Sequence, residues 1–581
     1  MNRLFVYMKR YPLRYAAGSA SLFCTATLVM AIPVLTQRAV DTIRDLHGGS
    51  GDFSTVAGYA LVIAVVALLQ AMVRTVSRVM IFNAGRDIEY DIRNDLFDQL
   101  QRLPQSWYQH QRTGDLMSRL VNDIGAVRLV LGPGVLTIIN TPLYCAYAFT
   151  LMILMDPRLT VAAVLPFPLL LWVVKRYSHR MMDATVRTQE RLADMSSFVQ
   201  ENLNGIHVLK SYVREEERAR RFAEINERFK DESMDVAILR GKVFPFVRVI
   251  SSLGVLAVLY YGGILVVAGD LTLGQLVAFI AYLHILAWPI MALGWMIAIY
   301  QRGKAAMQRL SEILDTRPTV TTPESPARRE MLSGEIRFDH VGFAYDGEDS
   351  VVLRDIDLHV PPGGTLGIIG RTGSGKSTLA TLIPRLFDVS SGRILVDGVD
   401  VREWDLHALR SAIGFVPQDP FLFSSSIEAN IGFGRDVVSA AEMTRLVEMA
   451  GLDADLAEFP HGMETQVGER GVTMSGGQKQ RLTIARAIAR DPRILILDDA
   501  LSSVDSATEK RILDELDEVM MGRSTIIVSH RVTSMEKADR IAVIDDGRIA
   551  ELGSHDELVA RGGIYAQLVQ RQLLTEELEA M

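Results

Sequence analysis

The sequence has few cysteines and no excess of positive charge, and each shortage excludes a class of protein. Its 581 residues include two cysteines, Cys24 and Cys145, both in apolar stretches. Two such thiols cannot form a disulfide framework or, by themselves, a metal site, so we expect both to be small buried hydrophobes. The formal net charge of -8 argues against a nucleic-acid-binding protein, and we predict no nucleic-acid partner.

Apolar residues are abundant instead, at 49% of the chain, which indicates a membrane protein. Six apolar stretches reach or approach the roughly 20 residues that cross a bilayer as a helix. They are residues 15–35, 56–73, 132–155, 159–174, 243–268 and 274–297. The first follows four basic residues but has no small-residue cleavage site at a suitable position, so we interpret it as an uncleaved first span.

The distribution of Lys and Arg predicts the topology. The segments assigned to the outside, residues 41–55, 156–158 and 269–273, contain only Arg44 and Arg158, whereas the inner segments are rich in both residue types. Positive charge marks the cytoplasmic side, so we expect both termini in the cytoplasm. The compact design and uncleaved first span favour a multi-pass protein of the bacterial plasma membrane.

Two long inner segments between the spans have helical periodicity and must reverse direction somewhere. We place the two reversals in residues 105–123, at the break Thr113-Gly114-Asp115, and in residues 201–217, at Asn204-Gly205. These tips could contact another domain, or they could be two solvated helical hairpins.

Polar residues within spans are costly and therefore informative. His284 lies near mid-depth of the sixth span and could contact substrate, sense protons or be a neutral imidazole hydrogen-bonded between helices. Arg74, Arg78 and Arg248 lie near inner ends of spans, where a long side chain reaches the interface cheaply.

The composition changes after the last span. Residues 1–314 form the predicted membrane domain, and residues 315–333 are a linker rich in proline, threonine and charge. From residue 334 to 581, short β-branched runs alternate with helical ones, which predicts an α/β domain with a largely parallel sheet.

A phosphate-binding loop, GRTGSGKST, opens this second domain after an apolar strand. Glycines let backbone N–H groups approach a polyphosphate, while Lys376 reaches the β- and γ-phosphates and Ser377 holds Mg²⁺. A glycine turn without ligand is the alternative. The predicted nucleotide contacts are Gly370, Arg371, Thr372, Gly373, Ser374, Gly375, Lys376, Ser377 and Thr378.

Two later stretches fit the same chemistry. The buried strand of residues 493–500 ends at Asp498, whose carboxylate can serve the Mg²⁺ that Ser377 also holds. Ser475, Gly476, Gly477 and Gln478 precede a helical run, so their N–H groups could bind another anion. Taken alone, these four residues could equally be a flexible loop.

In this order, the motifs resemble those of ABC transporters, and the whole chain resembles an exporter-type half-transporter with six spans and one P-loop ATPase domain of ABC type. The resemblance implies that Tyr345 stacks on adenine and that Gln418 lies near Mg²⁺ and the attacking water. It implies a D-loop at residues 502–505, a switch histidine at His530 and coupling helices at the two cytoplasmic tips. The implied ligands are ATP and Mg²⁺, with Ser377, Gln418 and Asp498 at the metal.

The resemblance identifies Ser475, Gly476, Gly477 and Gln478 as the family's signature. It also implies a dimer in which the phosphate loop of each chain faces the signature of the other. Where the family has a glutamate as general base after Asp498, this chain has Asp499. A shorter side chain withdraws the carboxylate from water, so this site is expected to be slow. Such a substitution beside an intact signature favours one subunit of a heterodimer, with a homodimer that still uses Asp499 as the alternative.

We therefore expect ATP-driven export of a small amphipathic molecule, such as a drug, lipid or peptide, by alternating access. The expected partners are a second half-transporter, the substrate and membrane lipid. A membrane-anchored regulatory ATPase is one alternative, although Gln418 and His530 favour a transporter. Import on the exporter architecture is another.

Overall fold

The computed structural model describes residues 2–47, 53–329, 331–347, 350–435, 437–468, 471, 474–501 and 506–579. The chain divides into two compact units. One comprises residues 1–98 and 114–315, and the other comprises residues 99–113 and 316–581. We call them the membrane unit and the ATPase unit.

Helices account for the chain up to residue 315. They are α1 (Asn2–Met8), α2 (Pro12–His47), α3 (Phe53–Arg102), α4 (Gln105–Gln109), α5 (Thr113–Ser118), α6 (Ile124–Leu129), α7 (Val135–Met155), α8 (Pro157–Val164), α9 (Phe167–Asn204), α10 (Ile206–Ser211), α11 (Glu215–Ala268) and α12 (Leu273–Asp315). Single π-helical turns, Arg119–Asp123 and Val130–Gly134, join α5, α6 and α7. In its described residues, the membrane unit consists of helices joined by short turns, as the apolar runs predict.

Four helical segments in the described part of the chain are long and apolar enough to cross a membrane. They are Pro12–Leu46, Phe53–Arg102, Thr113–Met155 and Glu215–Ala268. The predicted fourth and sixth spans coincide with the shorter apolar segments Pro157–Leu169 and Leu273–Leu286. The count of six spans is consistent with this arrangement and stays a prediction.

The positions where the long helices reverse differ in part from the predicted ones. The second reversal follows Asn204, where α9 ends, as the Asn-Gly pair predicts. The first lies earlier than the predicted Thr113-Gly114-Asp115 break, because α3 ends at Arg102 and Thr113 already starts α5. Pro104 explains the difference, since proline lacks the N–H of a helix interior and disfavours helical backbone in the residue before it.

Polar contacts join the helices of the membrane unit. The Tyr282 hydroxyl donates to the Met30 carbonyl oxygen at 3.0 Å, which ties α12 to α2. Arg309 on α12 forms a bidentate pair with Asp123, with Nε 2.8 Å from Oδ2 and Nη2 2.5 Å from Oδ1. Asp123 is buried. A buried carboxylate needs such a partner, because an unpaired charge loses its hydration without compensation.

The expectation of two buried thiols is wrong for Cys24. Cys145 is half-buried, but Cys24 is exposed on α2. A membrane-spanning helix presents apolar residues to lipid as well as to its neighbours, so a small hydrophobe on such a helix need not be buried in protein.

The ATPase unit is an α/β fold, as the alternation predicts. Its strands are β1 (Ile336–Ala344), β2 (Val351–Val360), β3 (Thr365–Gly370), β4 (Ser391–Val396), β5 (Val399–Asp400), β6 (Ile413–Val416), β7 (Ile494–Asp498), β8 (Ser524–Val528), β9 (Arg540–Asp545) and β10 (Arg548–Gly553). Its helices are α13 (Lys376–Leu382), α14 (Leu406–Ser411), α15 (Ile427–Ile431), α16 (Ala440–Met449), α17 (Asp453–Glu458), α18 (Gly476–Ala489), α19 (Ser506–Met520), α20 (His555–Arg561) and α21 (Ile564–Glu579).

These strands form two sheets in the described residues. The larger has the order β10-β9-β3-β8-β7-β6, and β9, β3, β8, β7 and β6 run parallel. The smaller is antiparallel, with the order β2-β1-β4-β5. Strands β7 and β8 are buried at every residue, which is why each contains a run of apolar residues, ILIL in β7 and IIV in β8. Because parallel strands share one carboxyl edge, residues that follow β3, β6, β7 and β8 converge there.

Part of the predicted linker is ordered against the ATPase unit. The Ala327 amide donates to the Glu403 carbonyl oxygen at 2.8 Å, and the Ala327 carbonyl accepts from the Asp405 amide at 3.1 Å. The Arg328 guanidinium donates to Asp405 Oδ2 at 2.6 Å. These bonds fasten the chain to the unit before β1 begins.

Candidate functional site: a phosphate-binding edge of the parallel sheet

The phosphate loop joins β3 to α13, and its glycines have distinct structural reasons. Gly373 and Gly375 have φ values of +83° and +100°, in the left-handed region that side chains rarely adopt. A Cβ on Gly370 would lie 2.1 Å from the Ile544 carbonyl oxygen on the neighbouring strand β9. Any larger residue would therefore push the start of the loop off the sheet.

Two polar side chains of the loop fit an incoming phosphate. Ser374 Oγ is buried and has no hydrogen-bond partner in the described part of the protein. Lys376 Nζ donates to the carbonyl oxygens of Gly370 and Arg371, both at 2.9 Å, within the loop itself. Burial lowers the pKa of this ammonium group, since desolvation disfavours the charged form. A phosphate would supply both groups with an acceptor.

The two residues predicted to hold Mg²⁺ are in contact. The Ser377 hydroxyl donates to Asp498 Oδ1 at 2.9 Å, across from the end of β7. Asp498 is 3% exposed, and this burial raises the pKa of its carboxyl group to about 6. A buried carboxylate beside a hydroxyl is a donor set that suits Mg²⁺, because a hard cation prefers oxygen ligands and offsets the cost of the buried charge.

Asp499 and His530 form a pair that the sequence did not reveal. Asp499 has φ +49° and its amide donates to the Val528 carbonyl oxygen at 2.8 Å. Its carboxylate oxygens lie 2.9 and 3.2 Å from His530 Nδ1. The Asp499 carboxylate raises the pKa of His530, since it stabilises the imidazolium form. Asp499, the expected general base, and His530, the expected switch histidine, are thus hydrogen-bonded to each other.

Tyr345 is held at the far end of the loop. Its hydroxyl and that of Thr378 are 2.9 Å apart, and its ring packs edge-on against Phe343 and Phe387, with centroids 4.9 and 5.5 Å away. Aromatic pairs prefer such edge arrangements. The ring therefore has a fixed position at the mouth of the site, where a nucleotide base could stack on it.

These elements enclose a cavity of about 390 Å³. Its lining includes residues of the phosphate loop and the side chains of Gln418, Asp499 and His530, which follow β6, β7 and β8. The full set of lining residues is Tyr345, Val352, Thr372, Gly373, Gly375, Lys376, Ser377, Thr378, Gln418, Asp499, Val528 and His530. Most of the predicted site residues are thus brought together. Val352 and Val528 are additions that no motif marks, because an apolar wall needs no particular residue type.

The signature residues form a separate feature. Ser475 caps α18, with its Oγ accepting from the Gln478 amide at 3.2 Å, and Gln478 Oε1 accepts from the Ser475 amide at 2.9 Å. Neither they nor Gly476 and Gly477 are among the residues that line the 390 Å³ cavity. In a single chain the signature therefore contributes a capped helix start rather than a wall of the phosphate site. The predicted D-loop, residues 502–505, lies outside the described residues.

Glu509 is a further residue that the sequence did not single out. It is 1% exposed on α19, and its carboxylate accepts from the Arg531 guanidinium and, at 2.6 Å, from the Ser534 hydroxyl. Arg531 directly follows His530. The buried carboxylate thus anchors the segment that carries the switch histidine, and no local motif could have identified it, because its partners are distant in sequence.

In the membrane unit, His284 borders a second cavity. Its Nδ1 is 2.9 Å from the Ile280 carbonyl oxygen on the same helix, so this bond lies within α12 and not between helices. The cavity has a volume of about 370 Å³, and Arg74 and Arg78 line it together with His284. The two arginines therefore border an open cavity between helices, which their position near the inner end of a span did not indicate.

Both the membrane unit and the ATPase unit contain residues that match known protein families. Residues 17–290 match the family described as ABC transporter transmembrane region, and residues 353–502 match the family described as ABC transporter. The chain is 36% identical to a Bacillus subtilis protein named "Probable multidrug resistance ABC transporter ATP-binding/permease protein YheI", over 99% of this chain and 98% of that protein. It is 35% identical to the Escherichia coli "Multidrug resistance-like ATP-binding protein MdlA", over 99% and 96%.

A solved structure is similar over almost the same length. It is described as "Structure of a bacterial Atm1-family ABC exporter with ATP bound" and superimposes with a TM-score of 0.80 and 28% sequence identity. The match covers 96% of this chain and 99% of the other.

Proposed function

The chain belongs to the ABC transporter family and is of the exporter type, and on that premise we propose that it is one half of a dimer that exports a small amphipathic molecule at the expense of ATP. The protein spans the bacterial plasma membrane, with both of its termini in the cytoplasm. The observation that carries the proposal is the convergence of the phosphate loop, Gln418, Asp499 and His530 on one cavity.

The polar residues in and beside this cavity have distinct tasks in hydrolysis. Lys376 and the loop amides bind the phosphates, with Ser374 offering its unpartnered hydroxyl. Mg²⁺, held by Ser377, Asp498 and Gln418, would neutralise charge on the phosphate oxygens. Asp499 orients the attacking water, and His530 donates toward the γ-phosphate.

The pair of Asp499 and His530 supports a slow site. The imidazole of His530 engages the Asp499 carboxylate, with Nδ1 2.9 Å from Oδ1, so that this oxygen is less available to orient a water molecule. The aspartate is also one methylene shorter than the glutamate that the family resemblance implies at this position, and a displacement of ~1 Å can cost about a hundredfold in rate. We therefore assign the faster hydrolysis to a partner chain.

The signature of this chain serves that partner. Ser475 and the N-terminal amides of the 14-residue helix α18 are well ordered by the capping box and are not part of the chain's own phosphate cavity. They are therefore available to complete the site of a second half-transporter, which supports a dimer. A homodimer would use the same surfaces with both sites slow.

The test is the rate of ATP hydrolysis by the purified full chain, alone and with candidate partner half-transporters, each compared with Asp499→Glu. The proposal predicts slow hydrolysis by the chain alone and restoration by one partner. It also predicts that Asp499→Glu adds little to the restored pair. Lys376→Ala serves as the control for contaminating ATPases. A stable dimer of the chain alone with ordinary exporter turnover would refute the heterodimer.

Export itself needs a separate measurement, because hydrolysis without transport would fit a regulatory ATPase. In inside-out vesicles, an amphipathic fluorescent dye should accumulate in the lumen with ATP, and Lys376→Ala should abolish this accumulation. Dye loss from the lumen would instead indicate import.

A further inference from the structure

The membrane cavity of about 370 Å³ is formed by α2, α3, α7 and α12. Its polar side chains are Gln70, Arg74, Arg78, Asn140, Tyr144 and His284, among others. Leu22, Val29 and Ile285 contribute to its apolar wall. The cavity therefore combines an apolar surface with a cationic one, as a site for an amphipathic molecule would.

Positive charge in this cavity has no acidic counterpart. Arg74 and Arg78 are four residues apart on α3 and thus share one helix face. The stretches of the four lining helices from residues 13–40, 53–86, 124–155 and 273–311 contain no Asp or Glu. Within the described residues, no carboxylate pairs with either guanidinium. Both arginines are exposed along the cavity wall, and two guanidinium groups on one helix face without a carboxylate partner favour an anion beside them.

Three of the hydroxyl groups that line the cavity are engaged elsewhere. Ser77, Thr25 and Thr137 donate to backbone carbonyl oxygens within three or four residues of themselves, at 2.8, 2.7 and 2.8 Å. The strongest donors in the lining are therefore the two guanidinium groups of Arg74 and Arg78.

We propose that this cavity binds the anionic group of an amphipathic substrate, a carboxylate, sulfonate or phosphate, at Arg74 and Arg78, with the apolar part of the molecule against Leu22, Val29 and Ile285. The guanidinium groups bind such oxyanions by charge-assisted hydrogen bonds. A cationic amphiphile would meet two positive charges and no carboxylate. The inference rests on the proposed export function, whose substrate class it specifies.

The same chemistry could come from a free amphiphile or from the head group of an acidic phospholipid. Binding should therefore be measured with the full chain in nanodiscs of phosphatidylcholine and, separately, of phosphatidylcholine with phosphatidylglycerol. The probes are pyrenebutyrate and its uncharged methyl ester, which share the apolar part. Equilibrium binding requires no transport, so a failed export function and a failed anion site give different results.

The test variant is Arg74→Gln with Arg78→Gln. Loss of two charge-assisted contacts should weaken pyrenebutyrate binding by at least ~tenfold and leave binding of the ester within about twofold. Replacing both arginines with lysine keeps the charge and should retain most of the preference, which separates the site from misfolding. The control is Arg86→Gln, an exposed position on the same helix that does not line the cavity.

Equal binding of the two probes by the unaltered protein in phosphatidylcholine would overturn the proposal, as would an unchanged preference in the double glutamine variant. If phosphatidylglycerol competes with pyrenebutyrate, and the double variant removes this competition, the natural anion is a lipid head group. If phosphatidylglycerol has no effect while pyrenebutyrate still depends on both arginines, the site takes a free amphiphile.

Discussion

Replacing Asp498 with asparagine should change how stability depends on pH. Burial raises the pKa of this carboxyl group from 3.8 to about 6, so the folded state favours the protonated form. The stability that this proton contributes is fully present below pH 3.8, is lost as the pH rises toward 6 and is absent above it. With these two values, linkage gives a loss of roughly 1 kcal/mol between pH 5 and pH 8.

The measurement is urea unfolding of residues 316–581 at both pH values. Trp404 is fully buried and is the only tryptophan of this segment, so its fluorescence reports unfolding. The difference in the free energy of unfolding between Asp498→Asn and the unaltered segment should shift by roughly 1 kcal/mol from pH 5 to pH 8, in favour of the variant at pH 8. Asp546→Asn is the control, since its side chain is 88% exposed.

A stability difference that is equal at pH 5 and pH 8 would refute the reasoning, because it would mean that Asp498 titrates alike in the folded and unfolded chain. Mg²⁺ gives a second readout. If Asp498 is a metal ligand, Mg²⁺ with nucleotide should stabilise the unaltered segment at pH 8 and stabilise Asp498→Asn much less.

Three further changes have outcomes that the structure fixes. Gly375→Ala forces φ +100° on a side chain whose Cβ would lie 2.7 Å from Leu353 Cδ2, so ATP affinity, measured with a fluorescent analogue, should fall at least ~tenfold; unchanged affinity would contradict the loop geometry. Asp499→Asn should lower the pKa of His530 in an NMR titration, since the carboxylate raises it, and no change would show that the pair does not form in solution. Arg309→Ala should cost about 1–2 kcal/mol in thermal unfolding because Asp123 loses its partner, whereas Arg309→Lys should cost less.

The sequence was most informative where the backbone conformation or a required chemical group restricts which residue type can occupy a position. The phosphate loop could be predicted because Gly370, Gly373 and Gly375 each answer a steric or dihedral constraint that no other residue satisfies. The parallel sheet was predicted from short β-branched and apolar runs, such as those in β7 and β8, that alternate with helical ones. Both features are local, so the residues that specify them are adjacent in the chain.

Features that depend on distant partners could not be predicted in the same way. Glu509 and Ser534 are 25 residues apart, and neither lies in a motif. Arg74 and Arg78 were assigned to the membrane interface because their position along a single span can be inferred from the sequence. The cavity that they share with α2, α7 and α12 depends instead on how the helices pack. The early reversal before α4 depends on Pro104, a local signal that the more obvious Thr-Gly-Asp break concealed.

The capping box at the start of α18 is under selection for the folding of its own chain as well as for the ATP site of the partner chain. Ser475 stabilises the fold of its own chain, because its side chain satisfies the Gln478 amide, and loss of such a cap costs about 1 kcal/mol. Mutations at this serine would therefore be purged even in a chain whose own hydrolysis has become slow. A half-transporter can thus lose its base over evolutionary time while the surface that its partner needs is preserved by the requirement to fold.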